Sequence, residues 1–163
     1  MIVLIIYIII SFLLDGLMSN YLTTSILNTI YSLIALIIIF NFFDNEKKYL
    51  KILLPIAILF DIVYTNTFIL NIILFIIIYL LIKQLNYFIP NNLFTINIKT
   101  LLGISLYHIL SYIILLLVHY NDYPLTLLLT ILYKSIILTI IYTSISYILL
   151  NKMYFKIYDK KIK

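Results

Sequence analysis

Long apolar runs, interrupted by short polar breaks, make up almost the whole chain. The runs are too long and too unbroken to alternate faces as the strands of a membrane barrel do. A bilayer-crossing helix needs about 20 apolar residues, with a range near 17–25. On that measure the pattern predicts six spans, at about residues 2–22, 25–43, 50–64, 68–82, 101–118 and 125–150. Pro55 falls near the start of the third span, where a missing N–H costs least. The predicted breaks include Asp44-Asn45-Glu46-Lys47-Lys48, a long polar loop over 83–99 with Asn86, Pro90, Asn91 and Asn92, and a tight turn over 119–124. A basic tail over 151–163 closes a single predicted domain covering 1–163.

The lysines give this pattern a direction. Lys47, Lys48 and Lys51 lie between spans two and three or just inside the third, Lys83 and Lys99 between four and five, and Lys152, Lys156, Lys160, Lys161 and Lys163 in the tail. A six-span count puts all of them on one side, and the opposite loops carry no lysine. The positive-inside rule makes that side cytoplasmic, with both termini there. The first run has no basic leader and no small-residue cleavage site, so it is expected to be retained as a span.

Composition agrees. The chain has 163 residues, 65% of them hydrophobic and 10% charged. A soluble domain carries about 25% charged residues, so this chain is expected to be an all-α integral membrane protein. It has no Cys, which removes disulfides and thiolate metal sites. Arg is absent while Lys, Asn, Ile and Tyr abound, the signature of an AT-rich coding sequence. Aromatic residues at the span ends fit interfacial belts, and the lysine tail fits an anchor on anionic lipid rather than a nucleic-acid patch.

Polar residues inside or beside the apolar runs are the candidate functional positions, because an intramembrane ionisable group needs water or a partner. Asp15 is followed by Ser19-Asn20, and Asp61 by Thr65-Asn66, giving Asp-x-x-x-[Ser/Thr]-Asn-x-apolar at the ends of spans one and three. One reading is an internal pseudo-repeat of two hairpins with an outward-facing acidic rim, in which Asp61, Tyr64, Asn66, Asp15 and Asn20 bind a partner. On that reading Asp61 and Tyr64 lie at a helix end and carry little core packing. The other reading is local: Ser, Thr and Asn cap the next helix and each Asp reaches the interface.

On span five, Ser105, His108, Ser111 and Tyr112 share one helical face and read as interhelical hydrogen-bonding glue. Lys134 lies near the bilayer midplane of span six and is expected to face the bundle interior against a neutralising group, unless the span starts later and the side chain snorkels outward. Glu46 is the only Glu, and the chain has two His, no Gly-rich phosphate loop and no HExxH. The residues therefore point to no enzyme, no metal and no cofactor.

Two segments carry a family resemblance: Phe12-Leu13-Leu14-Asp15-Gly16-Leu17-Met18-Ser19-Asn20, and Leu59-Phe60-Asp61-Ile62-Val63-Tyr64-Thr65-Asn66-Thr67 after a lysine-rich loop. With the size, the six spans and the short basic tail, they resemble the rod shape-determining protein MreD family. The sequence departs from the family's pattern at Ile69, where Gly is common, and at Lys134, where Pro is common. The resemblance implies a non-catalytic bacterial inner-membrane scaffold of the elongation machinery. It would pair with the bitopic protein MreC, and through it with MreB filaments and the glycosyltransferase and transpeptidase of side-wall peptidoglycan synthesis. It also implies a fold similar to the substrate-binding subunits of energy-coupling-factor vitamin transporters, and a subunit of that kind is the alternative function. Such subunits dock through a small-residue Ala-x-x-x-Ala face, whereas this chain has only Ala35 and Ala57.

Overall fold

A computed structural model describes residues 2–21, 29–43, 45–65, 69–118 and 124–159, the side chains of residues 2, 19–21 and 154–159 excepted. The described residues are all-helical: α1 (Ile2–Tyr21), α2 (Tyr31–Phe40), α3 (Glu46–Phe60) running on into a π-helical turn (Asp61–Thr65), α4 (Leu70–Phe88), α5 (Leu93–Leu117) and α6 (Leu125–Asp159). Three stretches, Leu70–Phe88, Leu93–Leu117 and Leu125–Met153, are long and apolar enough to cross a bilayer. Large apolar side chains line the outside. On α1, Ile5, Ile6, Ile9, Ile10, Leu13 and Leu17 point outward while Leu4, Ile8, Ser11 and Asp15 point inward. A surface of that kind belongs in lipid, where an apolar exterior carries no hydration cost. The chain is a helical membrane protein.

The shortest helix is the hub. α2 spans ten residues, about 15 Å at 1.5 Å per residue, yet it touches every other helix. Tyr31 through Ile39 are all buried, as expected of a helix that is apolar all round. The predicted span over 25–43 is therefore a short central rod, its residues 25–28 lying outside the described ones. At Gly103, α5 comes so close that an added Cβ would stand 2.6 Å from Cδ1 of Ile37 on α2.

Four boundaries differ from expectation. α3 begins at Glu46, so Pro55 lies inside the helix rather than near its start. The predicted loop over 83–99 is mostly helical, because α4 continues to Phe88 and a capping box starts α5. In that box Asn92 Oδ1 accepts from the Thr95 N–H at 2.9 Å, and Thr95 Oγ1 accepts from the Asn92 N–H at 3.0 Å. The break thus shrinks to residues 89–92, and Lys99 sits within α5. The start of the expected tail continues α6 to Asp159.

Polar contacts fix which ends meet. The C-terminal end of α4, the start of α5 and the second half of α6 meet where Tyr147 Oη donates to the Asn91 carbonyl at 3.2 Å and Asn97 Nδ2 to Ser144 Oγ at 3.0 Å. Glu46 and Lys83 close the same end at 2.8 Å. The aspartates lie at the other end, with Asp15 and Asp61 against the starts of α2 and α4.

Candidate functional site

Neither α2 nor α4 caps itself. The residues preceding them, Ile30 and Ile69, have no side-chain oxygen to offer the first N–H groups of the helix. Buried inside the bundle, those donors have no water to turn to. Each is served from the preceding helix. Asp15 takes the Tyr31 N–H on Oδ1 at 2.7 Å and the Ser32 N–H on Oδ2 at 2.9 Å. Asp61 takes the Asn71 N–H on Oδ1 at 3.1 Å and the Ile72 N–H on Oδ2 at 3.3 Å. A carboxylate facing a helix N-terminus also meets the positive end of its macrodipole. The two copies of the sequence pattern are therefore two copies of one device, a long-range carboxylate cap.

The Asp61 copy is the more elaborate. Asn71 Nδ2 donates to Asp61 Oδ1 at 2.9 Å, and Asn71 Oδ1 accepts from Tyr107 Oη of α5 at 2.6 Å. Thr65, at the end of the π turn, accepts from Asn71 Nδ2 at 2.9 Å. The turn widens the helix where Asp61 turns inward, a common setting for such a bulge.

The two copies are joined. Tyr64 Oη donates to the Phe12 carbonyl at 2.6 Å, and the Phe12 and Tyr64 rings lie 4.9 Å apart. Gly16 makes room for this, since a Cβ there would stand 2.8 Å from Tyr64 Oη. Tyr64→Phe is expected to lower the thermal midpoint in detergent only slightly, because an interhelical side-chain hydrogen bond in membrane proteins averages about 0.6 kcal/mol. Gly16→Leu, which expels the ring as well, is expected to lower it further in the same melt.

This geometry corrects the outward-facing rim. Asp61 is 1% exposed and Asp15 is buried, and their oxygens are taken up by helix starts rather than offered outward. Tyr64 is half-buried. Asn66 lies outside the described residues, and Asn20 is placed in the last turn of α1 with its side chain outside them. His108 is buried beside the Tyr107 ring, with Ser105, Ser111 and Tyr112 half-buried on the same helix. Lys134 departs from expectation: it is half-buried and bonds to no described residue. The inward face of α6 belongs instead to Ser135, Thr139, Thr143 and Ser146, a small-residue stripe that lets helices approach closely. Thr143 meets Thr100 of α5 at 3.1 Å.

The buried cation of the bundle is Lys99, which the sequence pattern had placed in a loop. It is 1% exposed. Its ammonium donates to Asn86 Oδ1 at 2.7 Å, the Ile89 carbonyl at 3.0 Å and Asn91 Oδ1 at 2.6 Å. An ammonium has three protons to donate, and three neutral oxygens receive them. Asn86 passes the order on, its Nδ2 donating to Asn41 Oδ1 at 2.8 Å, while Asn41 Nδ2 caps the Ile37 and Ile38 carbonyls at the end of α2.

Beside this relay an open cleft of about 1030 Å³ lies between the end of α2, the start of α3 and the end of α4. Glu46 lines it and accepts from both Lys83 and Tyr79. The hydrogen bond from Lys83 holds the Glu46 carboxyl below the usual carboxylate range. No group of three or more His, Cys, Asp or Glu gathers among the described residues. Comparison with family models, with curated proteins and with solved structures returns no match.

Proposed function

We propose that the protein is a non-catalytic, multi-pass scaffold of the bacterial inner membrane, of the MreD kind. It would pair with an MreC-like bitopic protein and act with MreB filaments and the side-wall glycosyltransferase and transpeptidase to control cell shape. One observation supports this reading. The two segments that carry the resemblance form a single built unit, each with its Asp capping the next helix, joined through Tyr64, Phe12 and Gly16. Chance matches in a low-complexity chain carry no such expectation. The vitamin-transporter reading needs a small-residue docking face, and both alanines, Ala35 and Ala57, are fully buried, which weighs against it.

Affinity capture from membranes tests the proposal. Co-purification of a single-span cell-wall partner is expected, and co-purification of an ATPase pair, or a tightly held vitamin, overturns the reading. Topology has its own test, helped by the absence of native Cys. Lys47→Cys and Pro90→Cys are expected to resist an impermeant thiol reagent in intact cells, while cysteines at 20, 66 and 122 label. Labelling at position 90 overturns the cytoplasmic assignment of the lysine-bearing end.

A further inference from the structure

We propose that the cleft at the lysine-bearing end is a binding site for the phosphate-bearing headgroup of an anionic phospholipid. Its wall is amphiphilic. Phe40, Phe43 and Leu80 supply apolar surface, and Gln84, Asn86 and Asn91 supply amides. Such a lining suits a molecule that is polar at one end and oily at the other. Charge favours an anion. Glu46 is the one carboxylate among the described lining residues, and it faces Lys83. Lys47, Lys48 and Lys51 stand exposed on the turns that begin with Glu46. Behind the wall the Lys99 ammonium is held by neutral oxygens alone, so its charge is uncompensated by its own contacts.

That ammonium also orients the wall. A lysine only donates, so the amide oxygens of Asn86 and Asn91 face it. Their N–H groups must then point away from it. The Asn86 amide is committed to Asn41, while that of Asn91 remains on the cleft wall as a donor polarised toward an anion. The rim places the site at the bilayer surface. Tyr87 and Phe88 are 84% and 77% exposed, edge to face at 5.1 Å, and exposed aromatics of this kind settle at the headgroup level. Lys83 bridges to Glu46 at 2.8 Å, so a phosphate has to compete with Glu46 for it.

The test is extraction of the full-length protein from bilayers of equimolar phosphatidylglycerol and phosphatidylcholine, followed by native mass spectrometry of retained lipid. Preferential retention of phosphatidylglycerol is expected. Lys83→Glu, which sets two carboxylates against the phosphate, is expected to weaken retention about tenfold, equivalent to about 1.4 kcal/mol. Glu46→Gln, which frees Lys83, is expected to strengthen it. Both side chains are about half exposed, so neither change threatens the fold. Lys152→Gln, an exposed lysine outside the cleft lining, is expected to change nothing. Equal retention of the two lipids, or variants indistinguishable from the parent, overturns the site. Displacement of the lipid by excess glycerol phosphate reassigns it to a soluble phosphate and overturns the lipid assignment. A photoreactive residue in place of Tyr87 that crosslinks to protein rather than lipid in native membranes also overturns it.

Discussion

Replacing Asp61 by alanine is expected to release the start of α4 and to lower the thermal midpoint of the purified protein far more than a substitution on its lipid-facing surface. The carboxylate receives the Asn71 and Ile72 N–H groups and the Asn71 amide. A buried group left unpaired costs about 1–3 kcal/mol, and three lose their acceptor together. Thr65 Oγ1 still receives one proton of the Asn71 amide, but Ile69 has no oxygen to offer the helix start and the site is closed to water at 1% exposure. Asn71 would also lose its anchor while still receiving Tyr107, so the damage reaches α5. Asp61→Asn keeps one oxygen and is expected to recover part of the loss. Asp15→Ala is expected to resemble Asp61→Ala, because it strips the Tyr31 and Ser32 N–H groups at the head of the central helix. Leu17→Ala, at an exposed position on α1, is the control. A melt in one detergent in which Asp61→Ala and Leu17→Ala coincide would refute the capping role.

The same pair of aspartates shows how far the sequence can be read. Their shared pattern was visible, because Ser19-Asn20 and Thr65-Asn66 follow their Asp at the same offset. Their targets were not. Asp15 reaches 16 residues ahead to Tyr31, and Asp61 only 10 ahead to Asn71, so no fixed period links carboxylate to helix start. An acidic residue at the end of an apolar run reads as an interface residue until the next helix is placed under it. The helical class followed from run length, and α1 filled nearly all of its predicted span, the residues beyond Tyr21 lying outside the described ones. α2 did not. Its predicted span began at Ser25, but the described helix starts at Tyr31, where Asp15 supplies acceptors, a long-range fact. Two signals were legible and passed over. Asn92 and Thr95 have capping-box spacing, which would have drawn Lys99 into a helix. Ser135, Thr139, Thr143 and Ser146 follow helical spacing on the inward side of α6, which would have turned Lys134 away from the interior.

Lys99→Met is expected to be the second severe lesion, and its comparison with Lys134→Met separates the two intramembrane lysines. Methionine fills much of the volume of lysine but donates nothing. Asn86 Oδ1, the Ile89 carbonyl and Asn91 Oδ1 would then face a thioether, each at a cost of about 1–3 kcal/mol if it finds no other donor. The loss should spread along the relay, because Asn86 set by Lys99 sets Asn41, which caps the end of α2. Charge alone is not expected to rescue the site. Lys99→Arg keeps the positive charge but presents a planar fork to three oxygens gathered around a single nitrogen at 2.6–3.0 Å, and should remain well below the parent in thermal midpoint. Lys134→Met removes a half-buried ammonium that bonds to no described residue and is expected to leave the midpoint unchanged or raised, since a charge within the bilayer is costly. If Lys99→Arg melts with the parent, the cage acts through charge rather than geometry. If Lys134→Met falls as far as Lys99→Met, the assignment of the structural cation to α5 is wrong.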